Sequence, residues 1–180
     1  MLRMFFMIPL NVMATTAYQK AIAWAHESGT RALTEACWPV SAAFAMQVHE
    51  EYGPLRVMLL KGSFYAERNP ILKRKRFGVD HVWVQAMDDY ENRLLYDLTI
   101  EQFKDGDQGP LIGVPVDIRY RHGAFQPMDG ENGKAIFREL HRLGYGPLLM
   151  RIAPRLGDHP YWSYSVCMPE PGKPAPVTPV

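Results

Sequence analysis

The first third of the chain carries apolar residues at helical spacing, interrupted by glycines. One apolar stripe predicts an amphipathic helix over residues 16–27, which Gly29 ends. The members of the stripe are Ala21, Ile22, Trp24 and Ala25. The spacing indicates that this helix packs one face against the rest of the protein.

A second stripe, over residues 40–48, repeats its apolar positions every fourth residue. It predicts a helix over residues 39–51 that buries one face. Pro39 suits the first turn of that helix, because the N–H that proline lacks would make no hydrogen bond there. Cys37 is therefore expected at the helix N-terminus or just before it.

From residue 55 onward, alternation of apolar and polar residues replaces helical spacing for most of the chain. One further helix is predicted over residues 134–143, ended by Gly144. The predicted strands are residues 55–60, 79–87, 93–99, 112–120, 147–152 and 161–166. Helices first and an antiparallel sheet afterwards define the α+β class.

Composition describes one globular domain with a sizeable core. The chain has 180 residues, of which 47% are hydrophobic and 22% charged, and its formal net charge is +1. This balance gives no electrostatic reason to expect nucleic acid or an anionic membrane as a partner. Two cysteines, Cys37 and Cys167, are too few for a disulfide framework, although their pairing stays open.

The ends of the chain differ from its middle. Arg3 and the apolar run at residues 4–8 faintly resemble a signal peptide, but proline and asparagine interrupt the run. We expect residues 1–15 to be an N-terminal extension, residues 16–167 the domain, and residues 168–180 a proline-rich tail. Met13 is a second candidate start. The expected location is cytoplasmic, with secretion or delivery to another cell as the alternative.

The two strands at residues 79–87 and 93–99 make a geometric prediction. Side chains alternate between the two faces of a strand, so His81 belongs to one face of the first strand and Asp97 to one face of the second. The polar link between the strands suits a hairpin. A three-residue loop would put His81 directly opposite Asp97, whereas a five-residue loop would make the two diagonal neighbours. Both registers place the side chains within reach of each other.

A carboxylate beside an imidazole fixes its tautomer and stabilises the imidazolium, which leaves the second ring nitrogen for a nucleophile. Cys37 is the candidate, because the positive end of the helix dipole and a nearby imidazolium both favour a thiolate. Each residue also has a structural interpretation: Cys37 as a small core residue, and His81 with Asp97 as a satisfied polar pair. A zinc site from the three is the other alternative, but no close pair of ligands supports it.

Taken together, the three residues resemble a known family. The chain reads Cys37 on a helix, then His81-Val82-Trp83, then Asp97-Leu98-Thr99 sixteen residues after the histidine. This order resembles the transglutaminase-like (papain-like) superfamily of cysteine enzymes, which carries a helix-borne Cys, a His-x-Trp strand and an Asp-x-Thr strand end. The resemblance covers residues from about 30 to about 104. It implies a papain/transglutaminase-like fold and a catalytic triad of Cys37, His81 and Asp97.

The resemblance also implies an oxyanion hole. The backbone N–H of Cys37 or Trp38 could supply one donor, and Gln19 or Tyr18 a second. Trp38, Trp83 and Gln19 are accordingly our candidates for substrate binding. No glycine directly precedes Cys37, which departs from many members of the superfamily. The Arg-Gly-Gly-x-Cys signature of arylamine acetyltransferases is also absent from the sequence, which argues against that branch.

The implied activity is acyl transfer from an amide of a protein or peptide, with no cofactor and no metal. Water as acceptor gives a peptidase or a glutamine deamidase, and an amine gives a transglutaminase. The alternative is a catalytically silent peptide-binding module. The basic run at residues 73–76 is interpreted as a solvated loop rather than a substrate attractor. Tyr161, Trp162 and Tyr164 are expected in the core.

Overall fold

The structure is a computed structural model that describes residues 9–29, 33, 36–53, 56–65, 78–88, 90–103, 109–116, 119–127 and 130–157. The basic run at 73–76, the strand predicted at 161–166 and the tail at 168–180 lie outside the described residues. Cys167 lies outside them too.

The described residues form four helices and five strands. The helices are α1 (Leu10–Glu27), α2 (Cys37–Tyr52), α3 (Gly130–Arg142) and α4 (Gly146–Ile152). The strands are β1 (Val57–Tyr65), β2 (Gly78–Met87), β3 (Arg93–Asp97), β4 (Leu111–Pro115) and β5 (Tyr120–Pro127). The strands make one antiparallel sheet in the order β4-β3-β2-β1-β5, so the α+β class is confirmed.

The sheet has a core on each face, because side chains alternate along each strand. One core joins the sheet to the helices, and α2 packs directly on β2 and β1. Its strand residues include Val57, Leu59, Val82, Val84 and Ala86. The second core is smaller and lies on the opposite face. Its members are Leu60, Phe64, Trp83, Leu95, Ile100 and Tyr120.

The first two helices extend beyond the predicted bounds. Helix α1 begins at Leu10, six residues before the predicted start, and buries Leu10, Met13 and Ala14. Helix α2 begins at Cys37, so the cysteine is the first residue of the helix. Within the described residues, no helix combines the length and the apolar character needed to cross a bilayer.

Two strand predictions are wrong. The run at 112–120 is split between β4 and β5, which lie at opposite edges of the sheet. Pro115 ends β4 because it has no N–H to donate to a neighbouring strand. The run at 147–152 is helix α4, in which Pro147 occupies the first turn and Leu148, Leu149 and Ile152 are buried.

Candidate active site

Cys37 lies at an uncapped helix N-terminus. The residue before it, Ala36, has no side chain that can bind the first N–H groups of α2, and no side-chain cap replaces it. The Cys37 thiol is free and half-buried. One turn further along the helix, the Ser41 hydroxyl donates a 3.0 Å hydrogen bond to the carbonyl oxygen of Val82. This bond ties the helix of the cysteine to the strand of His81.

The β2–β3 hairpin adopts the register of the five-residue link, with Met87 opposite Arg93 and Val84 opposite Tyr96. Continuing this register makes Asp97 the diagonal neighbour of His81. The predicted contact between the two is present: Nε2 of His81 lies 2.6 Å from Oδ2 of Asp97. Neither side chain has solvent-exposed area, so the pair is held away from water.

The Asp97 carboxylate is held by more than the histidine. Its Oδ1 accepts hydrogen bonds from the Thr99 backbone N–H at 3.0 Å and from the Thr99 hydroxyl at 3.3 Å. Its Oδ2 accepts a 2.8 Å bond from the Tyr120 hydroxyl, in addition to the bond from His81. Four donors match the roughly four lone-pair sites of a carboxylate. This satisfies the requirement that a buried charge be paired and hydrogen-bonded.

Aromatic rings surround the imidazole of His81. Their centroids lie 4.9–6.3 Å from the imidazole centroid. The rings belong to Phe64, Trp83, Phe103 and Tyr120. The enclosure excludes water from the His81–Asp97 pair, and an electrostatic interaction in such surroundings is stronger than in water.

The second nitrogen of His81, Nδ1, is buried and has no hydrogen-bond partner that meets ordinary geometry. Burial alone would lower the pKa of His81. The hydrogen bond to Asp97 and the interaction with the neighbouring Cys37 side chain outweigh burial and raise that pKa to about 9. The imidazole is therefore cationic at neutral pH, with Nδ1 left for the thiol.

A pocket of about 380 Å³ opens at the cysteine. It is lined by Cys37, Trp38, Lys61, Asp80, His81 and Val82. The volume suits a ligand the size of a side chain or a short peptide segment. Lys61 and Asp80 are exposed, so opposite charges stand at its rim. Gly62 of β1 is paired with His81 of β2. Because glycine has no side chain, the position beside His81 on the sheet is not filled from β1.

The other predicted site residues fall in different places. Trp38 lines the pocket. Trp83 is fully buried and stacks beside His81, with its centroid 6.0 Å away, but it does not line the pocket. Gln19 is exposed on α1 and is not among the lining residues. The Tyr18 hydroxyl donates to Glu101, with an O–O distance of 3.0 Å to the nearer carboxylate oxygen.

Sequence reasoning missed several residues that build the site. Thr99 was named as part of the Asp-x-Thr resemblance, but its role as a donor to the Asp97 carboxylate was not predicted, although a residue two positions after an aspartate often donates to it. Ser41 gives no distinct signal within a helix. Tyr120 reaches Asp97 from β5, and nothing in its local sequence indicates this contact. Lys61 and Asp80 join the pocket through strand pairing alone.

The zinc alternative has no support from the described residues. No group of three or more His, Cys, Asp or Glu side chains among them is arranged to hold a metal ion. In addition, both Asp97 oxygens already accept bonds from protein donors.

The chain was compared with protein families, curated proteins and solved structures. No family model, curated protein or solved structure matches it.

Proposed function

We propose that the protein is a cysteine-dependent acyl-transfer enzyme that acts on an amide of a protein or peptide. One observation carries the proposal: the buried His81 is bound through Nε2 to Asp97, keeps Nδ1 unpartnered, and shares a pocket with Cys37. A purely structural histidine would be expected to satisfy both nitrogens. The arrangement supports the resemblance to transglutaminase-like enzymes, and in this proposal the three residues act as a triad.

In the first half of the reaction, Cys37 and His81 form a thiolate–imidazolium pair. The thiolate attacks the carbonyl carbon of the amide, and the C=O electron pair moves onto oxygen. The imidazolium then donates its Nδ1 proton to the leaving nitrogen. The C–N bond breaks, the amine departs and a thioester on Cys37 remains. Asp97 keeps Nε2–H oriented and stabilises the cation throughout.

The oxyanion of the first step needs hydrogen-bond donors. The first N–H groups of a helix have no acceptor within the helix, and in α2 no side chain caps them. The backbone N–H groups of Cys37 and Trp38 are therefore the donors that we assign to the oxyanion. The positive end of the α2 dipole adds to the stabilisation. The exposed position of Gln19 makes it a weaker candidate for the second donor.

In the second half, neutral His81 accepts a proton from the acyl acceptor, which attacks the thioester and releases Cys37. With water the products are an acid and the free enzyme, as in a peptidase or deamidase. With an amine a new amide forms, as in a transglutaminase. The rival function is peptide binding in the same pocket without turnover. The buried pairing of His81 with Asp97, with Cys37 in the same pocket, favours an enzyme, because binding alone does not need this arrangement.

Alkylation by iodoacetamide at about pH 6 tests the thiolate, because an ordinary thiol reacts slowly at that pH. We expect Cys37 to react much faster than Cys167 of the same chain. The Cys37→Ser variant, which keeps Cys167, serves as the control. Equal slow rates at both cysteines would contradict the proposed ion pair.

Mass spectrometry of candidate protein and peptide substrates identifies the reaction. Samples incubated with the native protein and with Cys37→Ser are compared for cleavage, deamidation and crosslinking. A change present with the native protein alone supports catalysis by Cys37. Bound but unchanged peptide in both samples favours the binding module.

A further inference from the structure

We propose that Tyr120 is a positioning residue that acts on His81 through Asp97 and limits how strongly the carboxylate holds the imidazolium proton. The inference rests on the proposed function, which makes the charge state of His81 important. The observation behind it is that a single oxygen of Asp97, Oδ2, accepts two bonds, one from Tyr120 at 2.8 Å and one from His81 at 2.6 Å.

Tyr120 reaches the carboxylate from a different part of the sheet. It is the first residue of β5, whose partner strand is β1, whereas Asp97 ends β3. Its ring packs against Phe64 and Trp83, with centroid distances of 5.1 Å to each, and its exposed fraction is 7%. The phenol is therefore fixed by packing before it donates its hydrogen bond.

Two donors on one carboxylate oxygen share its negative charge. The Tyr120 hydroxyl withdraws charge from Oδ2, so the oxygen attracts the imidazolium less than it would with His81 as its one partner. The Thr99 donors act on Oδ1 and do not compete for the same oxygen. Asp97 thus keeps the imidazole aligned without stabilising the imidazolium so strongly that transfer of its Nδ1 proton to a leaving amine is slowed.

Several charged or titratable groups face His81. Asp97 approaches from β3, Cys37 from α2 and Tyr120 from β5. Lys61 of β1 and Asp80 of β2 line the pocket that His81 also lines. Both are solvent-exposed, so screening weakens their effect relative to that of the buried groups.

The test removes the hydroxyl and keeps the ring. In Tyr120→Phe, the carboxylate should hold the imidazolium more strongly, and the titration midpoint of His81 should rise by about half a unit to one unit. The midpoint is read by NMR of labelled histidine, independently of turnover. If an active substrate is in hand, the alkaline limb of the activity profile should move upward by the same amount.

Tyr96→Phe is the matched control. Tyr96 precedes Asp97 in β3, belongs to the opposite core, and donates its hydroxyl to Asn11 at 3.1 Å. Its loss removes a part-buried phenol hydrogen bond without touching the carboxylate, so the His81 midpoint should not move. Replacing Tyr120 by 3-fluorotyrosine gives a second readout, since fluorine makes the phenol a stronger donor and should move the midpoint downward.

A His81 midpoint in Tyr120→Phe that stays at the native value or falls would overturn the proposal, as would a shift of equal size in Tyr96→Phe. If Tyr120→Phe fails to fold, the 3-fluorotyrosine protein decides by the direction of its shift. A shifted midpoint in a protein that turns over no amide would refute the proposed function and leave the role of Tyr120 standing.

Discussion

The two faces of strand β2 show opposite ways of using buried residues. Toward the helices, Val82, Val84 and Ala86 add apolar area to the larger core. Toward the other side, His81 forms a polar pair with Asp97, and Trp83 is one of the aromatic rings that enclose the pair. An apolar face tolerates changes that conserve volume, whereas a buried charged pair tolerates none that remove one partner. The β2 side chains that face the helices thus stabilise the fold, whereas those on the opposite face hold the geometry of the His81–Asp97 pair.

The largest effect that we expect is the loss of turnover when Cys37 is replaced. Cys37→Ala and Cys37→Ser should abolish turnover and leave the free energy of unfolding nearly unchanged, because the half-buried thiol contributes little packing. Val84→Ala on the helix side should do the reverse, lowering stability by about 2 kcal/mol and keeping turnover. Substrate assays and denaturant unfolding measure both quantities. A turnover loss of similar size in Val84→Ala would erase the distinction between the faces.

Variants of His81 test whether the histidine and Cys37 act together in catalysis. His81→Ala should lose nearly as much turnover as Cys37→Ala, and the double variant should lose no more than either single variant, because residues that act as one unit are not additive. Losses that multiply in the double variant would show that Cys37 and His81 act independently. The triad would then have to be given up.

Asp97→Asn should be less severe than either change. The amide keeps the shape of the side chain but favours the wrong tautomer of His81, a change that lowers turnover by about 10⁴ in a serine triad. A preformed thiolate needs less help, so we expect a smaller loss. Steady-state kinetics at several pH values measure it. Turnover equal to that of the native protein would remove Asp97 from the mechanism.

The parts of the molecule that could be predicted are those with a local signal. The hairpin followed from two strand-like runs around a short polar link, and both possible registers put His81 beside Asp97. Helix α4 was missed because six residues starting with a proline and rich in leucine fit a strand or a helix equally well. Tyr120 was missed because its contact depends on the pairing of β5 with β1, which no short segment encodes.

We expect the free energy of unfolding to depend on pH because of the buried His81–Asp97 pair. The folded-state pKa of His81 is raised from 6.5 to about 9, so the pair contributes stability that is complete below about pH 6.5 and is lost as the pH rises toward 9. The full shift corresponds to about 3 kcal/mol. Urea unfolding across this range measures it.

The matched variant for the pH experiment is Asp97→Asn. Without the carboxylate, burial dominates and lowers the pKa of His81, so the contribution of the histidine should increase with pH instead of decreasing. An unchanged pH dependence in this variant would show that other groups, and not the His81–Asp97 pair, cause it.

Trp83→Phe tests whether the aromatic enclosure does more than fill space. The indole N–H of Trp83 is buried and has no hydrogen-bond partner, so phenylalanine removes no hydrogen bond and should lower stability only through the cavity that its smaller ring leaves. If the enclosure orients His81, turnover should fall several-fold. Unchanged turnover would show that Trp83 serves packing alone. Trp83 would then tolerate substitution in the same way as the apolar residues of β2 that face the helices.

The smallest expected effect concerns Ser41, the point where the two sides meet. Its hydroxyl is one helical turn from Cys37 and bonds to Val82, the neighbour of His81, so it helps to set the distance between nucleophile and base. Ser41→Ala should lower stability by about 1 kcal/mol, the usual contribution of one buried hydrogen bond. Turnover should fall roughly tenfold with KM little changed, because small displacements of reacting groups have large effects on rate.

Val84→Ala is the reference, since it loses more stability without touching this bond. If the two variants retain the same turnover, Ser41 belongs with the packing residues, and its hydrogen bond does not set the alignment of Cys37 with His81. If Ser41→Ala alone loses turnover, the alignment of Cys37 with His81 depends on a hydrogen bond formed on the side of the sheet that otherwise serves packing.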